Sequence, residues 1–385
     1  MKKIRETIDR KSFKPVRLSY KEVLRFVVKK EVFVADRYGE SLEELFLLKN
    51  PKYRFNKEYR RDFEKFAKEH CKGKPMEDTG NWFYFPWSGR LIHFLPEKLH
   101  QEIRTGRNRN LITASEQEKY YDAVVGIFGM SVGSQVALTI AMTGGAKRIK
   151  LADPDAIDAS NLNRIRTGFQ DVGTPKVISV ARQIYEMNPY AKVEIFKEGA
   201  TESNIEKFIS SPKLDVLIEE MDNPYFKIKA RLIAKKHRVP VIMAADNGDG
   251  AIVDVERYDL KKNLPILHGI LGDVRPEDFK NISPKDLPRV IAKMAGANLA
   301  VPRMLESVLE VGRSIYSWPQ LGTAATACGV VLSYLARKII IGDKLDSGRY
   351  EVNLDSIFEP GYSSRKSKMA RKAEFQKFLK KIKTS

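Results

Sequence analysis

Residues 120–176 read YYDAVVGIFGMSVGSQVALTIAMTGGAKRIKLADPDAIDASNLNRIRTGFQDVGTPK, and this stretch decides the fold. An apolar run over 123–127 enters a loop carrying Gly126, Gly129 and Gly133, a helix follows, and a second apolar run over 148–153 ends on Asp153. Strand, glycine turn, helix and strand make a βαβ unit. Backbone approaches a phosphate closely only where no Cβ intrudes, and the next helix offers free N–H groups and a positive dipole end. Asp153 stands 20 residues after Gly133, where a carboxylate accepts both hydrogen bonds of a ribose diol. The spacing Gly126-x-x-Gly129-x-x-x-Gly133 departs from G-x-G-x-x-G, so these features predict a nucleotide without choosing ATP over NAD.

Working outward, the pattern from about 118 to 260 alternates strand and helix, which predicts a doubly wound, Rossmann-like, mainly parallel sheet. Further strands are expected at 193–196 and 214–219, with helices near 202–210, 224–237 and 175–187, the last opened by Pro175. Runs at 239–244 and 251–258 flank Asp246-Asn247-Gly248-Asp249, a hairpin signal that turns the sheet antiparallel at that edge. A helix near 321–341 and a strand at 350–354 complete this domain, placed at 106–360. Residues 1–105 form a smaller α+β extension, in which 41–70 read as helical and 81–96 as an aromatic hairpin around Ser88-Gly89. Residues 361–385 form a basic tail with nine basic groups against one acidic; Phe375, Phe378, Leu379 and Ile382 recur at helical spacing.

The bulk numbers bound the class. At 385 residues with 43% apolar content, the chain supports two or three domains with a substantial core. No apolar stretch is read as reaching the roughly 20 residues of a membrane helix, and no apolar segment follows the basic N-terminus as a secretory signal requires. Cys71 and Cys328 are the only cysteines and neither sits in a CxxC unit, which points to a reducing cytoplasm and away from a four-cysteine zinc site. The net charge of +19, concentrated partly in the tail, fits either a solvated basic surface or a contact with RNA, an acidic protein or a membrane surface.

The choice among nucleotides rests on the residues beyond Asp153. Asn161, Asn163 and Arg164 lie in one loop, Lys176 opens the next helix, and Asp222-Asn223 comes after the fourth strand. A guanidinium and an ammonium converging on a triphosphate neutralise charge as the α-phosphorus is attacked, and a carboxylate beyond a strand end holds Mg²⁺ against the phosphates. Singly, Arg164 reads as a surface ion-pair partner, Lys176 as a solvated helix residue and Asp222 as a helix N-cap. Their joint placement at strand ends selects ATP, since a dehydrogenase leaves these groups without a task.

This set resembles the ubiquitin-activating-type adenylyltransferases of the ThiF/MoeB superfamily over roughly residues 105–345. Ser160 to Arg164 matches that family's S-N-L-x-R, Lys176 its P-K at a helix start, and Asp222-Asn223 its D-N after strand 4. The resemblance implies that Asp153 binds ribose, that Asp222 positions Mg²⁺ and ATP, and that Arg109, in Arg109-Asn110-Leu111-Ile112, reaches the nucleotide of the other subunit in a homodimer. The stretches YFPWSGRLIHFLPE, RTGRNRNLIT, LIEEMDN and VDVERYDLKKNLPILHG are similar to a bacterial subgroup with an N-terminal extension, sometimes joined to a nitroreductase-like domain. The chain leaves no room for that part, so no flavin is expected.

Departures shape the expectation too. The family's paired CxxC zinc site is absent, and residues 260–320 hold no transfer cysteine; Cys328 reads as a packing residue in a small-residue helix. Cys71, beside His70, has no activating partner in sequence. The expected function is therefore ATP-dependent adenylation of a carboxylate on a small protein, peptide or small molecule, passed on without a cysteine. The alternatives are a carboxyl group on modified tRNA and a nucleotide-binding scaffold that has lost catalysis.

Overall fold

The structure, a computed structural model, describes residue 9 and residues 11–29, 31–283 and 286–384. The chain divides into two compact units: one holds the chain up to 118 with 141–145 and 181–191, the other 119–140, 146–180 and everything from 192.

The first unit carries β1 (Val16–Leu18), β2 (Phe33–Asp36), β3 (Asn81–Phe85) and β4 (Arg90–Phe94), in the sheet order β1-β3-β4-β2. β3 and β4 form the aromatic hairpin expected at Ser88-Gly89, and Gly89 takes the positive φ, +64°, that its turn requires. The aromatics go inward: Trp82, Tyr84 and Leu91 pack with Val23, while Tyr38, Leu42, Leu45, Phe46, Phe63 and Leu95 form a second cluster. His93 lies between the rings of Tyr38 and Trp82, each centroid 4.2 Å away. Cys71 is buried at the end of helix Arg60–Cys71, and the ring of its neighbour His70 is engaged by the Tyr38 hydroxyl at 2.7 Å.

The second unit carries β5 (Val124–Phe128), β6 (Arg148–Ala152), β7 (Lys192–Phe196), β8 (Val216–Glu219), β9 (Val241–Asn247), β10 (Gly250–Glu256) and β11 (Gly348–Val352). Their order is β11-β10-β9-β8-β5-β6-β7, parallel from β7 to β9 and antiparallel from β9 to β11. Every residue of β5 and β8 is buried, which is why these strands read as continuous apolar runs rather than alternating ones. The chain runs β5-β6-β7 to one side and returns to place β8 on the other side of β5. That reversal opens the crevice in which such sheets bind ligands.

Three expectations change. The Asp246–Asp249 turn is shorter than read, because Asp246 and Asn247 stay in β9, paired with Ala251 and Gly250. Asn247 is held there by its side chain, which accepts from Val301 N at 2.8 Å and donates to Leu299 O at 3.1 Å. The last strand lies at 348–352 rather than 350–354. Helix Gly322–Ile341 does reach the length and apolarity of a membrane span, against the sequence reading, yet half of it is buried in the fold, where it packs on β9 and β10. Its small residues also let it approach helix Val132–Met142, where a Cβ at Gly329 would stand 2.6 Å from Gln135 Cβ.

Candidate active site

Each glycine of the opening stretch has a distinct task. Gly126 lies inside β5, and a Cβ there would meet Leu214 Cδ1 at 2.4 Å and Phe208 Cε1 at 2.8 Å, so its smallness serves the core. Gly129 forms the turn itself, with φ +80°, and a Cβ added to it would stand 2.3 Å from the carbonyl oxygen of Glu220. Gly133 sits in the first turn of helix Val132–Met142, where a Cβ would press Ile127 Cγ2 at 2.8 Å. The unusual spacing thus leaves Gly129 to make the turn at the helix N-terminus and assigns the other two to packing.

Asp153, 5% exposed, fixes that turn. Its carboxylate accepts from Met130 N at 2.5 Å through one oxygen and from Asp155 N at 2.8 Å through the other. Burial raises its pKa, against the pull of Lys176 and these two N–H donors.

The loop after β6 folds as a short 3-10 turn, Ala159–Asn163, closed by a capping box between Asp158 and Asn161. Asn161 is therefore occupied as a structural cap, its Oδ1 accepting from Asp158 N at 3.1 Å. Asn163 donates to Gln320 O at 2.7 Å and accepts from Arg164 at 3.0 Å. Arg164 turns toward the glycine turn: its Nε donates to Ser131 Oγ at 2.9 Å. Burial disfavours its charge, and the carboxylates of Asp246, Asp222 and Asp158 favour it.

Lys176, 8% exposed, pairs with Asp155 at 2.8 Å, and its backbone N donates to Asp155 O at 2.9 Å. Asp155 passed unnoticed in sequence, although it stands two residues from Asp153. Asp222 lies three residues past the end of β8, and burial raises its pKa while Lys227 and Lys176 oppose the shift. The N-cap of helix Pro224–Lys236 is Asn223, which accepts from Phe226 N at 3.2 Å, so Asp222 is released from the capping task considered for it.

Two further acids were not singled out. Asp246 accepts from Gln320 at 2.8 Å and from the Cys328 thiol at 3.3 Å; burial raises its pKa and pushes the Cys328 thiol far up, in keeping with a packing cysteine. Glu220 accepts from Ala244 N at 2.8 Å and is likewise raised by burial. Beneath them lies a buried ionic network. Glu219 takes both oxygens to Lys227, at 3.0 and 2.9 Å, and pairs with Arg231, which reaches Glu256 at 2.7 Å. Glu219 also accepts from Met221 N at 2.8 Å, shaping the turn that presents Glu220 and Asp222. Three acids in the seven residues LIEEMDN, at the end of an apolar run, were the available signal; only the fold pairs Glu219 with residues 8 and 12 positions onward.

Arg109 belongs to the other unit, where its guanidinium donates to Glu102 Oε1 and Leu48 O, both at 3.1 Å, with half of the side chain exposed.

A glycine turn at a helix N-terminus, two cations and an acidic strand end are the parts of a nucleotide-phosphate site. Residues 105–373 match the ThiF family, and the protein belongs to it. It is 35% identical over 295 residues to an uncharacterized protein of Mycobacterium tuberculosis (strain CDC 1551 / Oshkosh), covering 75% of this chain and 41% of that one. The chain thus spans about two fifths of that relative's length. It is 29% identical over 187 residues to the tRNA threonylcarbamoyladenosine dehydratase of Bacillus subtilis (strain 168), 47% of this chain and 72% of the relative. Among solved structures, the E. coli tRNA N6-threonylcarbamoyladenosine dehydratase in complex with AMP is similar at 17% identity and TM-score 0.46, covering 63% of this chain and 95% of its own. E. coli MccB with ATP is similar at 18% identity and TM-score 0.40, covering 66% and 69%.

Proposed function

We propose that the protein is an ATP-dependent adenylyltransferase: a substrate carboxylate attacks the α-phosphorus of ATP, the bond to the bridging oxygen of pyrophosphate breaks, and an acyl-adenylate forms. The observation that carries this is the Arg164 guanidinium fixed on Ser131 beside the Gly129 turn, 2.9 Å from its hydroxyl. A cation placed there meets the triphosphate as charge develops on it. Lys176 supplies the second cation, held by Asp155 until a phosphate competes for it. Asp153 orients the turn and offers its remaining lone pairs to the ribose.

Magnesium fits the donor set. Asp222, Asp155 and Asp246 are hard oxygen donors, and no group of three metal-binding side chains gathers among the described residues. A Mg²⁺ bound by one carboxylate and the phosphates themselves needs no fuller cage. Asp222 would hold it, and the ion would supply charge neutralisation to the triphosphate.

ATP–pyrophosphate exchange against fractionated cell extract, with mass spectrometry of adenylated species, tests this reading and identifies the carboxylate. Exchange that survives Asp222→Ala, or micromolar NAD(H) binding without ATP binding, contradicts it. ATP binding without exchange under any substrate pool returns the scaffold alternative. Membership of the ThiF family and the tRNA dehydratase relatives support a second substrate, a carboxyl group on modified tRNA.

A homodimer accompanies the proposal. Tyr316, Trp318, Leu321, Val330 and Tyr334, on and before helix Gly322–Ile341, are exposed apolar side chains that a second copy would cover. Arg109 then serves the partner's nucleotide. Mixing inactive Arg109→Ala and Asp222→Ala proteins should restore exchange through hybrids with one intact site; a mixture as inactive as its components rejects the trans arginine.

A further inference from the structure

The basic tail is not a loose solvated run. It folds as helix Arg365–Thr384 and is tied down at both ends. Ahead of it, the Tyr362 hydroxyl accepts from Asn353 at 2.6 Å, just past β11, and the Arg371 guanidinium lies 3.8 Å over the Tyr362 ring. Toward its other end Phe378 is buried, with Phe375 stacked 6.5 Å from it, and the helix packs on helix Pro302–Glu310. Of the apolar stripe seen in the sequence, Phe378 is therefore buried and Phe375 half-buried in the fold, while Leu379 stays exposed.

The charge on the helix is almost purely cationic. Arg365, Lys366, Lys368 and Lys372 are exposed, and among the described residues none of the four has a carboxylate partner. Residues 365, 368 and 372 share one helix face by their three- and four-residue spacing. The helix has a single acid, Glu374, and Lys377 occupies it at 2.8 Å. The seven steps from 365 to 372 span roughly 10 Å of helix, so this is a fixed row of charge rather than a fluctuating cloud.

We propose that this outward face of helix Arg365–Thr384 binds the phosphate backbone of a nucleic acid. Lysine and arginine held in a row on a rigid helix neutralise successive phosphates and release their counterions. An anionic membrane fits less well, because a surface-lying helix needs an apolar face to insert. Here that face is turned inward, and the exposed apolar residues Met369 and Leu379 stand ten positions apart. The inference needs no adenylation, although it would supply the contact that a tRNA substrate requires.

The test uses the full chain. Fluorescence anisotropy is measured at roughly 50 and 200 mM salt with a structured RNA hairpin, a DNA duplex and single-stranded DNA, and vesicles containing phosphatidylserine are assayed by flotation. The parent and the triple variant Arg365→Gln/Lys368→Gln/Lys372→Gln are compared, with ATP binding followed in both. The parent should bind nucleic acid with affinity that falls steeply with salt. The triple variant should lose most of that affinity and flatten the salt slope by about 0.7–0.9 for each contact removed, with ATP binding unchanged. Preference among the three nucleic acids then names the natural class. No binding at the lower salt, an unchanged salt slope in the variant, or binding to vesicles alone overturns the inference, and because ATP binding is read separately, none of these bears on the adenylation reading.

Discussion

The Asp153 carboxylate accepts the main-chain N–H of Met130 at 2.5 Å, which locks the end of β6 to the turn following β5. One side chain thus shapes the phosphate turn and, through its other oxygen and the Asp155 backbone, sets the loop that leads to Lys176. Asp153→Ala leaves the buried Met130 N–H without its acceptor, at about 1–3 kcal/mol, and removes the acceptor of the part-buried Asp155 N–H as well. Chemical denaturation should show that loss, and calorimetric titration should show ATP affinity falling with it; a variant with parental stability would contradict the locking role.

Gly129 and Gly173 both have positive φ, yet they predict different outcomes. At Gly129 a Cβ meets the Glu220 carbonyl at 2.3 Å, whereas at Gly173 nothing lies within 4 Å. Gly129→Ala should destabilise by about 2 kcal/mol or more and abolish nucleotide binding, while Gly173→Ala should cost about 1 kcal/mol from backbone strain alone. Thermal melts and ATP titrations of the two variants, side by side, decide the matter.

The cations divide by burial. Lys227→Met removes one partner of the buried Glu219 and should cost on the order of 3–5 kcal/mol. Lys229→Ala, two residues along the same helix, breaks a partly exposed pair with Glu202 and should cost under about 1 kcal/mol. Urea unfolding of both proteins measures the contrast. Equal effects would mean that the buried network contributes no more than the surface pair.

For catalysis, Arg164→Ala and Lys176→Ala should each lower ATP–pyrophosphate exchange by about 100-fold or more, the usual cost of losing one preorganised group facing developing charge. Single-turnover rates should fall more than ATP affinity does. An affinity loss with unchanged chemistry would reassign both residues to binding.

Burial raises the pKa of Asp246 in the folded protein. A raised folded-state pKa means that folding favours the protonated acid. The stabilisation is fully present below the unfolded-state pKa and is lost as pH rises through the folded-state value. Asp246→Asn should therefore melt above the parent at neutral pH, with the gap closing toward about pH 4, near the ordinary aspartate value. A gap that widens in acid would contradict the burial argument.

The sequence by itself determined the parallel sheet, its antiparallel edge, the strand-end positions of Asp153 and Asp222 and the helix-start position of Lys176, because apolar runs buried on both faces and glycine or proline punctuation are local signals. Tertiary structure alone decided how the residues divide their labour. Asn161 reads like a phosphate ligand and is a cap; Gly126 reads like a cradle glycine and makes room for Leu214; Asp222 is freed because Asn223 caps the next helix. The pairings of Asp246, Glu220 and the Glu219–Lys227–Arg231–Glu256 network could not be read in sequence, since they join partners on different strands, on helix Pro224–Lys236 and at Gln320. The basic tail follows the same rule: its charge was plain in the sequence, but only the burial of Phe378 and the anchoring of Tyr362 determine which face is left for a partner. Local pattern fixes which chemistry a segment can carry, and long-range packing fixes which groups remain free to use it.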